Sequence, residues 1–197
     1  MKTKLLISIV GPTAIGKTAL SIKLAQAFNT EILSADSRQF YKEIPIGTAA
    51  PSKKELAAAP HHFIHNRSIE EDYSVGDYER DAIEKLDKLF KDHELLILVG
   101  GSGLYIKSLI EGLDNFPEID QEIREQLNER LVNEGLEPLK MQLEQLDPEY
   151  YNKIDHNNPH RVIRDLEVGL GSGKTFSSFL IPPTRTRDFK TMSIGLT

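Results

Sequence analysis

Eight residues, Gly11-Pro12-Thr13-Ala14-Ile15-Gly16-Lys17-Thr18, constrain this chain more than any others. They match in full the spacing Gly-x-x-x-x-Gly-Lys-[Ser/Thr]. They also stand between an apolar run, Leu5 to Val10, and a helix-patterned stretch reaching about Phe28. In a strand, loop and helix of this kind, successive backbone N–H groups wrap a phosphate at a helix N-terminus, where the helix dipole favours negative charge. Glycine at positions 11 and 16 lets the backbone approach closely without a Cβ in the way. Lys17 adds a cation, and the Thr18 hydroxyl is suited to holding a magnesium ion. Gly11 to Thr18 are therefore expected to bind a phosphate or diphosphate.

Strand-length apolar runs recur at Ile32-Leu33 and at Leu95 to Val99, with helical patterns at about 17–28 and 77–91. Strands alternating with helices imply a parallel sheet flanked by helices, an α/β architecture of the P-loop NTPase kind. The second strong run ends in Gly100-Gly101-Ser102-Gly103 and leads into helical spacing from Leu104 to Gly112. From Pro117 to about Asp155, leucines and isoleucines four apart alternate with charged residues, which reads as two or three amphipathic helices. Asp147-Pro148 marks a further helix start. A helix is expected over His160 to Leu170, a loop over Gly171 to Thr186, and a strand over Thr191 to Leu196. The division is thus a core of 1–112 and 156–197 carrying a helical insertion at 113–155. A last strand with nothing after it leads to the expectation of a longer parent protein. The cluster Gly171-Ser172-Gly173-Lys174-Thr175 lacks a preceding strand and the right glycine spacing, so a flexible loop is expected there.

A chain of 197 residues is long enough to bury one α/β core with a small lobe. Net charge is −6, but 113–155 alone holds twelve acidic residues against four basic ones. The segment from His156 onward is positive, so overall acidity says little about partners. No apolar run approaches the roughly 20 residues of a membrane span. The short run after Met1-Lys2-Thr3-Lys4 is better read as a strand than as a signal peptide, which leaves the cytoplasm as the expected location. Cysteine is absent, which excludes disulfides, thiolate metal sites and a cysteine nucleophile.

In a P-loop ATPase a second apolar strand ends in an acid that supports magnesium. The strand at 95–99 ends in glycines instead. The acid follows the shorter run, as Asp36 in Ser34-Ala35-Asp36-Ser37-Arg38-Gln39. An Asp at the carboxyl end of a parallel strand is placed for chemistry, for magnesium support or for a helix N-cap, and the pattern does not choose among them. Ser102, on a glycine-rich turn, is placed to cap the helix that follows. Arg161 and Arg164 lie three apart on one helix face, which by itself reads as a solvated face. Arg124 has acidic neighbours, Asp120 and Glu125, for an ion pair on its own helix. His61 and His62 lack metal-site spacing and are read as structural.

Taken together, Gly11–Thr18, Ser34–Tyr41, Ile46-Gly47-Thr48-Ala49, His61-His62, Gly100–Tyr105 and Pro159–Arg164 resemble the tRNA dimethylallyltransferase family, in the family's order and from Leu5 to Leu196. The resemblance implies transfer of a dimethylallyl group from dimethylallyl diphosphate to the exocyclic amine of the adenosine 3′ of the anticodon in tRNA. It implies Asp36, Ser102 and Lys17 as catalytic residues, with the loop holding diphosphate and magnesium at Thr18. It also implies tRNA contact through Asp36, Ser37, Arg38, Gln39, Ser102, Arg124, His160, Arg161, Val162, Ile163 and Arg164, in a monomer without membrane attachment. The target base would leave its stack to reach the site. Two positions depart from the family pattern. Ala50 stands where lysine is common, with Lys53 as a possible substitute charge, and Asp165 stands where alanine is usual, adding a carboxylate expected to weaken phosphate attraction. The alternatives are a small-molecule kinase, an isopentenyltransferase acting on free adenine nucleotides, and a nucleotide-binding module without catalysis.

Overall fold

The computed structural model describes residues 3–114, 116–180 and 187–197. They form two compact units, Met1–Leu113 with Arg185–Thr197, and Asp114–Thr184.

The first unit is a parallel sheet of β1 (Leu5–Val10), β2 (Ile32–Ser34), β3 (His61–His62), β4 (Leu95–Val99) and β5 (Lys190–Gly195), in the order β3-β2-β4-β1-β5. Both faces are covered, which is why β1 and β4 read as continuous apolar runs. Successive side chains alternate between faces. Leu6, Leu33, Leu96 and Leu98 pack on one side with Tyr78 and Leu86 of α3 (Val75–Leu89) and Leu109 of α4 (Gly103–Glu111). Ile7, Ile9, Ile32 and Ile97 pack on the other with Ile22 and Ala25 of α1 (Lys17–Phe28). Each fully buried leucine or isoleucine contributes about 2 kcal/mol.

α3 begins at Val75, earlier than the expected 77, because Ser74 and Asp77 form a reciprocal capping box. The same device, Ser52 with Glu55, starts α2 (Lys53–Ala58), a helix the apolar periodicity does not reveal. His61 and His62 form β3, beside Ile32 and Leu33 of β2.

The second unit contains α5 (Gln121–Glu134), α6 (Glu137–Leu146), α7 (Pro148–Tyr151), α8 (Pro159–Ser172) and a 3-10 turn at Phe176–Phe179. Asp147 starts α7 as expected, its Oδ1 accepting from the Tyr150 N–H at 3.2 Å. The expected boundary at Asp155 is corrected. Val162, Ile163 and Leu166 of α8 share one core with Leu127, Leu139 and Leu143 of α5 and α6, so the helical unit extends to Thr184. The glycine-rich run after Leu170 is corrected too, since it begins as helix. A Cβ at Gly169 would lie 2.4 Å from Leu146 Cδ2, and one at Gly171 would lie 2.5 Å from Ile119 Cγ2, so these glycines let neighbouring chain pack against α8. The part of the expected loop at 181–186 lies outside the described residues. Among the described residues no helix is long and apolar enough to cross a membrane.

Candidate active site

The phosphate loop leaves the carboxyl end of β1 and enters α1, with Ala14 (φ 66°) and Gly16 (φ 99°) in left-handed conformations. Gly16 needs its missing side chain for that φ. Gly11 needs it for contact, because a Cβ there would lie 2.6 Å from the Leu196 carbonyl oxygen. The close approach at Gly11 is thus to the chain's own backbone. Lys17 Nζ folds back to donate to the carbonyls of Gly11 at 2.9 Å and Pro12 at 2.7 Å. An ammonium has three N–H donors, so one remains for an anion.

Sheet order explains why no acid follows Val99. β4 lies between β1 and β2, and a Cβ at Gly100 would lie 2.2 Å from the Ala35 carbonyl oxygen. The tight crossing leaves no room for a side chain, and the acid sits one strand over, as Asp36. Ala35 N–H donates to the Val99 carbonyl at 2.8 Å, which fixes Asp36 at the carboxyl edge of the sheet. Asp36 caps no helix. Its Oδ1 accepts from the Arg38 N–H at 3.1 Å, and Oδ2 carries the remaining lone pairs toward the space beside Gly101.

Ser102 occupies the N-cap position of α4, yet its side chain makes no cap bond. Its Oγ accepts from the Ser37 N–H at 3.0 Å and donates to Ser37 Oγ at 3.1 Å. Of the two readings of Ser102, capping is excluded; the hydroxyl locks the turn that carries Asp36. Gln39 is also turned inward. Its Oε1 accepts from Ser34 Oγ at 3.0 Å, and its Nε2 donates to the carbonyls of Thr48 at 3.3 Å and Ala49 at 3.1 Å. Its amide therefore positions the 45–50 loop.

Two cavities meet at these residues. One, of about 230 Å³, is lined by Thr13, Gly16, Lys17, Thr18, Asp36, Ala49, Pro51, Glu55 and His61. The other, of about 290 Å³, is lined by Thr13, Asp36, Ser37, Arg38, Gly47, Thr48, Gly101 and Ser102. Thr13 and Asp36 border both. Glu55 and His61 were not among the expected site residues; the Ser52-x-x-Glu55 capping pattern was the available signal. The two bonds from Ser52 hold the Glu55 carboxyl below its ordinary pKa. His61 donates through Nδ1 to the Ala59 carbonyl at 2.7 Å, and burial holds its pKa below the ordinary value. Lys53, the expected substitute charge for Ala50, lines neither cavity.

The expected RNA-facing residues of the helical unit divide. His160 and Arg161 are exposed. Val162 and Ile163 are not, lying in the unit's core, and their side chains do not face a ligand. Arg124 pairs with Glu167 of α8 at 3.2 Å, a partner on another helix and neither of the acids expected on its own. Arg164 pairs with the same Glu167 oxygen at 3.0 Å and lies over the Phe116 ring. Asp165 is only 3% exposed, so the expected weakening of a phosphate-binding face is corrected: this carboxyl faces inward. Burial first, and Asp147 second among the raising influences, lift its pKa to about 7 against the opposing effect of Arg161.

A family model described as IPP transferase matches residues 39–197. The chain belongs to this family. Among its relatives, tRNA dimethylallyltransferase of Christiangramia forsetii is 59% identical over 191 residues, covering 97% of this chain and 63% of that protein. The protein of the same name from Flavobacterium johnsoniae is 53% identical, covering 98% and 64%. The chain thus spans just under two thirds of the length of these relatives. A solved eukaryotic dimethylallyltransferase acting on tRNA matches with a TM-score of 0.79 at 28% identity, over 98% of this chain and 48% of that one. The tRNA isopentenylpyrophosphate transferase of Staphylococcus epidermidis matches with a TM-score of 0.59 at 34% identity, over 98% and 63%. These structures share the P-loop-like α/β fold described above.

Proposed function

We propose that the protein transfers a dimethylallyl group from dimethylallyl diphosphate to the exocyclic amine of an adenosine beside the anticodon of tRNA. The observation that carries this reading is the position of Asp36 at the border of the phosphate-loop cavity and its neighbour. A proton acceptor standing between a diphosphate grip and an acceptor pocket is what the reaction requires.

In the proposed step the adenine N6 attacks the allylic carbon and the bond from that carbon to the diphosphate oxygen breaks. The N6 proton passes to Asp36, and the diphosphate leaves with the bonding electrons. The loop amides and the remaining N–H of Lys17 stabilise the charge growing on the leaving group, which is where preorganised donors act most strongly. Ser102 and Ser37 hold the Asp36 turn, so that the carboxylate is oriented before the base arrives. Magnesium fits here because the Thr18 hydroxyl lines the cavity beside Lys17 and offers an oxygen donor, and the ion can take its other ligands from diphosphate and water without a protein cage. Held by Thr18, it would supply further charge neutralisation. On this reading the protein acts on tRNA in the cytoplasm, as a monomer.

The test is to supply the full-length protein with labelled dimethylallyl diphosphate and either an anticodon stem-loop or AMP, and in parallel with ATP and small acceptors. Label in the stem-loop supports the proposal. Label in AMP alone, or phosphoryl transfer from ATP, overturns it.

A further inference from the structure

Ile46 is 92% exposed, on a loop whose backbone is held from several directions. Gln39 ties Thr48 and Ala49, the Thr48 hydroxyl donates to the Pro45 carbonyl at 3.3 Å, and Thr48 itself is buried. Gly47 at φ 81° and Ala49 at φ 50° complete a turn that keeps residue 46 outward. A lone exposed isoleucine is ordinary in itself. What sets this one apart is its place. The next two residues, Gly47 and Thr48, wall the cavity shared with Asp36, Ser37 and Ser102. Exposed cations at Arg38, Lys42, Lys53 and Lys54 flank the loop in sequence, and two acids of the same stretch are occupied internally, Glu55 by Ser52 and Glu43 by the Ile69 N–H at 3.0 Å.

We propose that Ile46 is an apolar wedge for RNA, entering the base stack of the anticodon loop as the target adenine leaves it for the Asp36 cavity. The inference rests on the function proposed above. An extruded base leaves a gap whose neighbours lose stacking, and apolar side chains inserted between base steps are a general means of stabilising such a state. A β-branched side chain on a pinned loop loses little freedom on insertion, so more of the contact is retained as binding. The flanking cations attract the phosphates on either side of the opened step.

The experiment uses full-length protein and two anticodon stem-loops: one with 2-aminopurine at the target position, whose fluorescence rises when the base unstacks but which has no N6 amine to be prenylated, and one with adenosine there, on which KM and turnover are measured. Ile46→Ser is expected to abolish most of that rise and to raise the stem-loop KM about tenfold, while the KM for dimethylallyl diphosphate stays unchanged. Ile46→Leu is expected to behave like the parent protein. Unstacking and turnover by Ile46→Ser equal to the parent overturn the wedge and leave the transferase reading intact. Equal losses of donor and RNA binding also overturn it, assigning Ile46 to loop structure. No transfer to RNA by the parent protein overturns both readings.

Discussion

The two units use the same kinds of polar residue in opposite ways. In the α/β unit, hydrogen bonds from Ser102, Gln39 and Ala35 hold loops so that Asp36 and Lys17 border open cavities. In the helical unit, the carboxylates close on the unit itself. Glu167 is shared by Arg124 and Arg164, and Asp147 accepts from the backbones of Tyr150 and Ser177 and from the Ser177 hydroxyl. The lesson is that a charged residue in a suggestive sequence position is a ligand contact only if the fold leaves it unspent.

The contrast breaks first at Lys17. Lys17→Ala removes the lysine that lines the first cavity, and prenyl transfer should fall on the order of a thousandfold, while far-ultraviolet circular dichroism and melting of the helical unit stay unchanged. Gly100→Ala forces a Cβ into the Ala35 backbone, and should destabilise the α/β unit by about 3 kcal/mol in urea unfolding. Glu167→Gln tests the other side. It removes the shared partner of two half-exposed arginines and should cost about 1–2 kcal/mol, discounted for solvent on the arginine side, with diphosphate affinity unaffected. Diphosphate binding that tracked Glu167 would end the division of labour.

The smallest effect is a pH dependence at Asp165. Its folded pKa of about 7 lies above the ordinary aspartate value, so the folded state holds the proton more tightly than the unfolded chain. Its contribution to stability is therefore full below about pH 4 and is lost as pH rises through 7. Asp165→Asn should raise the melting temperature of the helical unit by a few degrees at pH 8 and leave it nearly unchanged at pH 4. Equal shifts at both values would contradict the assignment.

Much of the α/β unit was legible because its signals are local. The phosphate loop, its flanking strand and helix, and Asp36 after β2 all follow from short patterns set by backbone geometry. β3 was illegible because two residues carry no periodicity, and α2 because its signal is a capping box instead of an apolar stripe. Ser102 was visible as a hydroxyl, but its partner Ser37 lies 65 positions away in sequence, and no local pattern reports that pairing. The helical unit was harder for the same reason. Gly169 and Gly171 resemble loop residues until Leu146 and Ile119 are packed against them, and Arg124 chooses Glu167 only once α5 and α8 meet.

If Asp36 takes the proton from the acceptor amine beside a diphosphate gripped by the phosphate loop, its loss should slow the chemistry without weakening binding. Single-turnover transfer by Asp36→Asn, with dimethylallyl diphosphate and an anticodon stem-loop both prebound, tests it most directly. The rate should fall about a hundredfold or more, with affinities for both substrates within about threefold of the parent. Near-normal turnover, or a loss explained wholly by weaker binding, would contradict it.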